Sequence, residues 1–219
     1  MGNLDYFQIF ALSSTLSIII PAIVGLLMLR RVENYWKLLV GFLVVATIVD
    51  FSAAAMALKG KPNLWLLLPY TFLEATALGG VYWWFYYSRE KMFEMKLVLG
   101  IVVAVLIGLI VDAIFGQGLN SFNSLSRTFE ALGMIILSLI YFFSSFQDLS
   151  LLKEENIPML WFNSGVLLYF ATNVFVFLLS DYILSTQPEL HIGIWAFHSV
   201  ANILFNLLTT VTIWFASRQ

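Results

Sequence analysis

Asp50, Glu74, Glu130 and His198 are residues of a type that does acid–base or metal chemistry, and each lies within a long apolar run. Asp50 and Glu74 have no basic residue within a helical turn. Ionisable groups surrounded by hydrocarbon are costly and face a protein interior or a water-filled cavity. His198 stands four residues before Asn202 and eight before Asn206, which puts all three on one helical face. Trp195 and His191 extend that stripe, and Tyr169 shares a face with Asn173 in the same way. Asp50, Glu74, Glu130, Tyr169, Asn173, Trp195, His198, Asn202 and Asn206 are therefore the candidate pocket residues.

Carboxylates and an imidazole can ligate a divalent cation, and such an ion can polarise a lipid carbonyl and activate water. A membrane-embedded metal hydrolase would use Asp50, Glu74, Glu130 and His198 as its ligands. Against it, the chain has two histidines, no cysteine and no HExxH motif. No metal or other cofactor is expected. Two titrating carboxylates would also suit a small proton-coupled transporter, although no repeat is visible. The same residues have plainer roles open to them. Glu130 can pair with Arg127 one turn away at the membrane surface, and Asp112 can sit at the interface. Asn163, Asn173, Asn202 and Asn206 can serve as hydrogen-bonding glue between helices. A retinal protein lacks its lysine between His191 and Ser217, and no GxxxxGK[ST] loop is present for a nucleotide.

The elements that must position these groups are membrane spans. The chain is 61% hydrophobic and 11% charged, with mean hydropathy +0.90, whereas soluble domains carry about 25% charged residues. Disorder and an ordinary soluble enzyme are excluded, and a net charge of -2 gives no footprint for nucleic acid. Apolar runs long enough to cross a bilayer cover about 6–29, 38–58, 64–87, 97–115, 125–147, 158–180 and 192–216. The connectors are too short for a separate domain, so residues 1–219 form one all-α, seven-span bundle. The alternating strands of a membrane barrel are absent. Met1–Gln8 holds Asp5 and no Lys or Arg, so the first span reads as retained rather than as a signal peptide. Pro21 and Pro69 are candidate kinks. All seven tryptophans fall near a span end, where indole suits the interface. Gly100, Ala104 and Gly108, like Ala75 and Gly79, have the spacing of close helix packing.

Of the eleven basic residues, Arg30, Arg31, Lys37, Arg89, Lys91, Lys96, Lys153 and Arg218 flank one side, and Lys59, Lys61 and Arg127 the other. The richer side is expected to be cytoplasmic, with the N-terminus outside and the C-terminus inside. Asp50, Glu74, Glu130, Asn173, His198 and Asn202 then lie between the midplane and the outer surface, and only Asn163 sits well inside the other half. A polar pocket opening outward, or sideways into the outer leaflet, is expected.

Trp161, Asn163, Tyr169 and Phe177 in the sixth span, with Trp195, His198, Asn202, Asn206 and Trp214 in the seventh, resemble the seven-helix membrane sensor regions of bacterial signalling kinases. The resemblance covers mainly the last third. It implies a sensor or binding protein in a bacterial cytoplasmic membrane. No kinase is read before Gln219, so it also implies a separate signalling partner. Membrane lipids and a small or lipid-like ligand are the other expected partners, and nucleic acid is not one.

The orientation is directly testable because the chain contains no cysteine. In intact cells an impermeant thiol reagent should label a Lys61→Cys variant and spare Lys153→Cys. Labelling of residue 153 alone would reverse the topology.

Overall fold

The computed structural model describes residues 6–115, 124–148, 153–186 and 188–219, with side chains left aside at 6–8, 180–181 and 183–192. The described chain is helical without a strand: α1 (Tyr6–Ser17), α2 (Ile19–Met28), α3 (Asn34–Leu58), α4 (Leu67–Tyr87), α5 (Met92–Phe115), α6 (Ser124–Gln147), α7 (Ile157–Thr186) and α8 (Pro188–Ala216). Helices α1 and α2 make one span, so seven segments are long and apolar enough to cross a membrane. Successive spans pack on each other, and α8 returns to pack on α1 and α2, which closes the ring. Large apolar side chains such as Leu99, Ile110, Phe146 and Phe175 cover the outside, as expected where the solvent is lipid.

Helix ends depart from the apolar runs in a consistent direction. Helices α3, α5 and α8 start about one turn earlier than the runs do, and α7 ends later, at Thr186. Lys37, Lys96 and Asp181 interrupt hydropathy but not the backbone ladder, and a lysine can carry its charge to water along its own stem. Pro188 occupies the first position of α8, where its missing N–H costs nothing.

The two prolines behave differently. Pro21 cannot donate to Ser17, four residues back, and its ring crowds that carbonyl. The first span is interrupted there, at Ile18, whose φ of −67° and ψ of −21° keep it helical. The result is a bend, and the ladder resumes with Ala22 N–H to Ile18 O at 3.3 Å. Pro69 falls in the first turn of α4, entered through the 3-10 turn Leu64–Leu66, so the kink expected there does not form.

Close packing uses a different set of small residues from the stripe expected on α5. Gly100 has open space around it and Ala104 is exposed, while Gly108 sits against Ser126. The face that α5 buries is Met95, Val98, Ile101, Val105 and Gly108, at three- and four-residue steps. On α4 the expected Ala75–Gly79 pair does pack. The tightest approach is at Gly133 of α6, where a Cβ would stand 2.3 Å from Ile101 Cγ2.

The half of the bundle holding the α2–α3 and α4–α5 connectors is sealed. Tyr82 Oη donates to Asn163 Oδ1 at 2.6 Å and lies 2.9 Å from Ser138 Oγ, while Asn163 Nδ2 donates to Ser138 O at 3.2 Å. This joins α4, α6 and α7. Trp36 is fully buried beside Phe162, with ring centroids 5.8 Å apart, so it is a core residue and not the interfacial anchor its position suggested.

Replacing Gly133 by Val should destabilise the bundle by about 1–3 kcal/mol, the usual cost of overpacking. Thermal unfolding should show a lower midpoint, partly restored by Ile101→Ala in the same chain. An unchanged midpoint in the single variant would contradict the α5–α6 approach.

Candidate functional site

The site is built outward from the start of α6. Asp112 of α5 accepts hydrogen bonds from Ser126 N at 2.8 Å and Ser126 Oγ at 2.6 Å, which satisfies a free donor in the first turn of α6. Asp112 is thus a tie between helices. The next residue, Arg127, turns inward and is only 4% exposed. Its Nη1 donates to the Glu74 carboxylate on α4 and, at 2.9 Å, to Glu130 one turn along α6. Its Nη2 reaches Tyr169 Oη at 3.5 Å, and the guanidinium lies 4.4 Å from the centre of the Phe177 ring.

Two expectations are corrected here. The pair of Arg127 with Glu130 forms as expected, but Arg127 is buried inside the bundle rather than exposed on it. A buried guanidinium requires carboxylate partners because removing an ion from water costs several kcal/mol, and α4 supplies the second one. Because Glu74 and Glu130 both bind the guanidinium, they are not free to join Asp50 and His198 around an ion. Among the described residues no group of three His, Asp or Glu side chains is placed to hold a metal.

A cavity lies beside this ion pair. Its inner chamber, about 220 Å³, is lined by Asp50, Asn63, Tyr70, Arg127, Tyr169, Trp195, His198 and Asn202, among others. A wider chamber of about 590 Å³ shares Asp50, Ala53, Asn63, Trp195, His198 and Asn202, and adds Ala11, Leu12, Ala54, Ala57 and Leu58. The wider chamber lies between α1, α3 and α8. Small side chains make room for it: Ala53, Ala54 and Ala57 crowd the end of α3, and the buried face of α3 stops at Ala46. The Asn63 side chain donates to Ala53 O at 3.0 Å and folds the following connector back over this end.

His198 is held by α7. Asn173 Nδ2 donates to Tyr169 O at 2.8 Å, so its Oδ1 is the atom that faces His198 Nδ1 at 2.9 Å. The imidazole hydrogen is therefore assigned to Nδ1, and Nε2 keeps its lone pair. Trp195, Phe177 and Tyr169 surround the ring, with centroids 5.1, 5.8 and 6.0 Å away. The expected partner, Glu74 or Asp50, is replaced by Asn173 because α7 packs directly along α8 while Glu74 is held by Arg127.

Of the candidate pocket residues, Asp50, Tyr169, Trp195, His198 and Asn202 line the cavity. Glu74 and Glu130 stand behind Arg127, and Asn173 stands behind His198. Asn206 lies outside: it is buried and donates to Ser17 Oγ at 2.8 Å, at the bend of the first span. Asn202 both lines the cavity and donates to Ser14 Oγ at 2.9 Å. The side chain of His191 lies outside the described residues. Arg127, Asn63, Tyr70 and Phe177 are additions. Tyr70 is four residues before Glu74, and Arg127 three before Glu130, so the helical period could have drawn both in.

Removing the cation alone should be severe. Arg127→Met leaves two buried carboxylates unpaired and should cost about 3–5 kcal/mol, measured by thermal unfolding in detergent. Adding Glu74→Gln and Glu130→Gln should recover most of that loss. A single variant as stable as the parent would contradict the buried pair.

Comparison with known proteins gives no matching family model, no matching curated protein and no matching solved structure.

Proposed function

We propose that this seven-span protein binds a small or lipid-like amphiphile in the two-chamber cavity. The observation that carries the reading is the cavity's polarity gradient. Charged, aromatic and amide side chains floor the inner chamber, and the outer one adds alanines and leucines together with the hydroxyls of Ser14, Thr15 and Ser199. Volumes of a few hundred Å³ with few, fixed polar groups are typical of small-molecule sites. The floor is preorganised, since Arg127 and His198 are each held by partners on other helices or one turn away.

The basic-residue asymmetry supports a cavity in the outer half of the membrane, and the resemblance to kinase sensor regions supports a bacterial cytoplasmic membrane. Occupancy would be felt by the first span, because Ala11, Leu12, Ser14 and Thr15 of α1 form one wall. That wall ends one turn before the bend at Ile18, which Asn206 ties to α8 through Ser17. A ligand that repositions α1 would change how the first span leans on α8, and a separate signalling partner could read that change.

Ala53 stands where the chambers meet. Mass spectrometry of the purified protein should find a co-purified amphiphile in the parent and lose it in Ala53→Phe at comparable thermal stability. Equal recovery from both proteins would count against the cavity as the binding site.

A further inference from the structure

We propose that the head of this ligand is a protonated amine, seated between Asp50 and His198 Nε2, with its hydrocarbon tail along Ala54 and Ala57. The inference rests on the binding reading above and adds the ligand's charge.

Three features of the inner chamber point to a cation. First, the acidic groups outnumber the basic one: Asp50 lines the chamber with Arg127, and Glu74 and Glu130 both pair with that single guanidinium from behind. Arg127 is matched by two carboxylates, and its Nε is fully buried, so it offers little to an incoming anion. Second, Asp50 faces both chambers and makes no hydrogen bond or ion pair among the described residues. A carboxylate within a membrane span calls for a partner, and here only the cavity can hold one. Third, the remaining walls suit an ammonium group. His198 Nε2 has a lone pair and no hydrogen bond among the described residues, because Nδ1 is the nitrogen committed to Asn173. Tyr70, Tyr169 and Trp195 also line the chamber, and aromatic rings are common partners of cations. An ammonium N–H has acceptors here, whereas a carboxylate head would meet Asp50. The wall of Ala53, Ala54 and Ala57 on α3 sets the other end of the ligand, since it offers apolar surface, while Ser14, Thr15 and Ser199 line the chamber from α1 and α8.

The test compares octylammonium, octanol and octanoate, which share a tail and differ in the head. Binding is measured calorimetrically to the full chain in phosphatidylcholine nanodiscs, with empty discs subtracted. Octylammonium should bind at least about tenfold more tightly than octanoate, the scale of one charged hydrogen bond. Asp50→Asn should abolish that preference at an unchanged thermal midpoint, and Asp50→Glu should retain it. Octanoate binding as tightly as octylammonium, or a preference that survives Asp50→Asn, would overturn the assignment. If all three bind alike and Ala53→Phe blocks them, the cavity reading stands and the cationic head falls. If none binds to the parent protein, both fall.

Discussion

A guanidinium held between two carboxylates in the interior of a membrane bundle organises this protein. Ionised side chains such as those of Arg127, Glu74 and Glu130 are expensive where a span faces lipid. Turned inward and joined, they pair and fix α4 against α6, with Tyr169 and Phe177 of α7 closing over the cation, although Arg127 Nε and Glu130 Oε1 are buried without a hydrogen bond among the described residues. Asp112 holds the first turn of α6, which sets the direction in which Arg127 leaves the helix. The inner chamber then inherits a rigid, charged floor that no flexible loop has to form.

The bundle is unequal along its axis. One half is sealed by Trp36, Phe162 and the Tyr82–Ser138–Asn163 hydrogen bonds. In the other half the end of α3 carries alanines where a packed helix would carry larger side chains, and α8 is tied to α1 by Asn202 and Ser14. The cavity is the space left between these two choices. Its walls are held in different ways: the ion pair joins α4 to α6, whereas α1 is held against α8 through Ser14 and Asn202.

The spans were legible because hydrocarbon permits few ways to hide a backbone, so long apolar runs leave little choice. The concentration of polar residues in one half was legible too, and Asp50, Tyr169, Trp195, His198 and Asn202 do line one cavity. The Arg127–Glu130 pair, one turn apart, was legible as well, but the long-range partnerships were not. Glu74 lies 53 residues from Arg127, and Asn173 lies 25 from His198; no local period carries such pairs. The inward turn of Arg127 was hidden for a further reason, since a basic residue at the start of a span reads as part of the surface. Gly100 and Ala104 have the spacing of a packing stripe, but spacing alone does not say which face of α5 meets a neighbour.

On the proposed reading, a ligand occupies the space between α1, α3 and α8. A cryo-EM map of the protein in nanodiscs made from its host's own lipids tests it most directly. The account predicts elongated density running past Ala57 and Ala54 and ending between Asp50 and His198. Side chains of α1 collapsed into that space, or a compact ion bridging His198 and carboxylates, would contradict it.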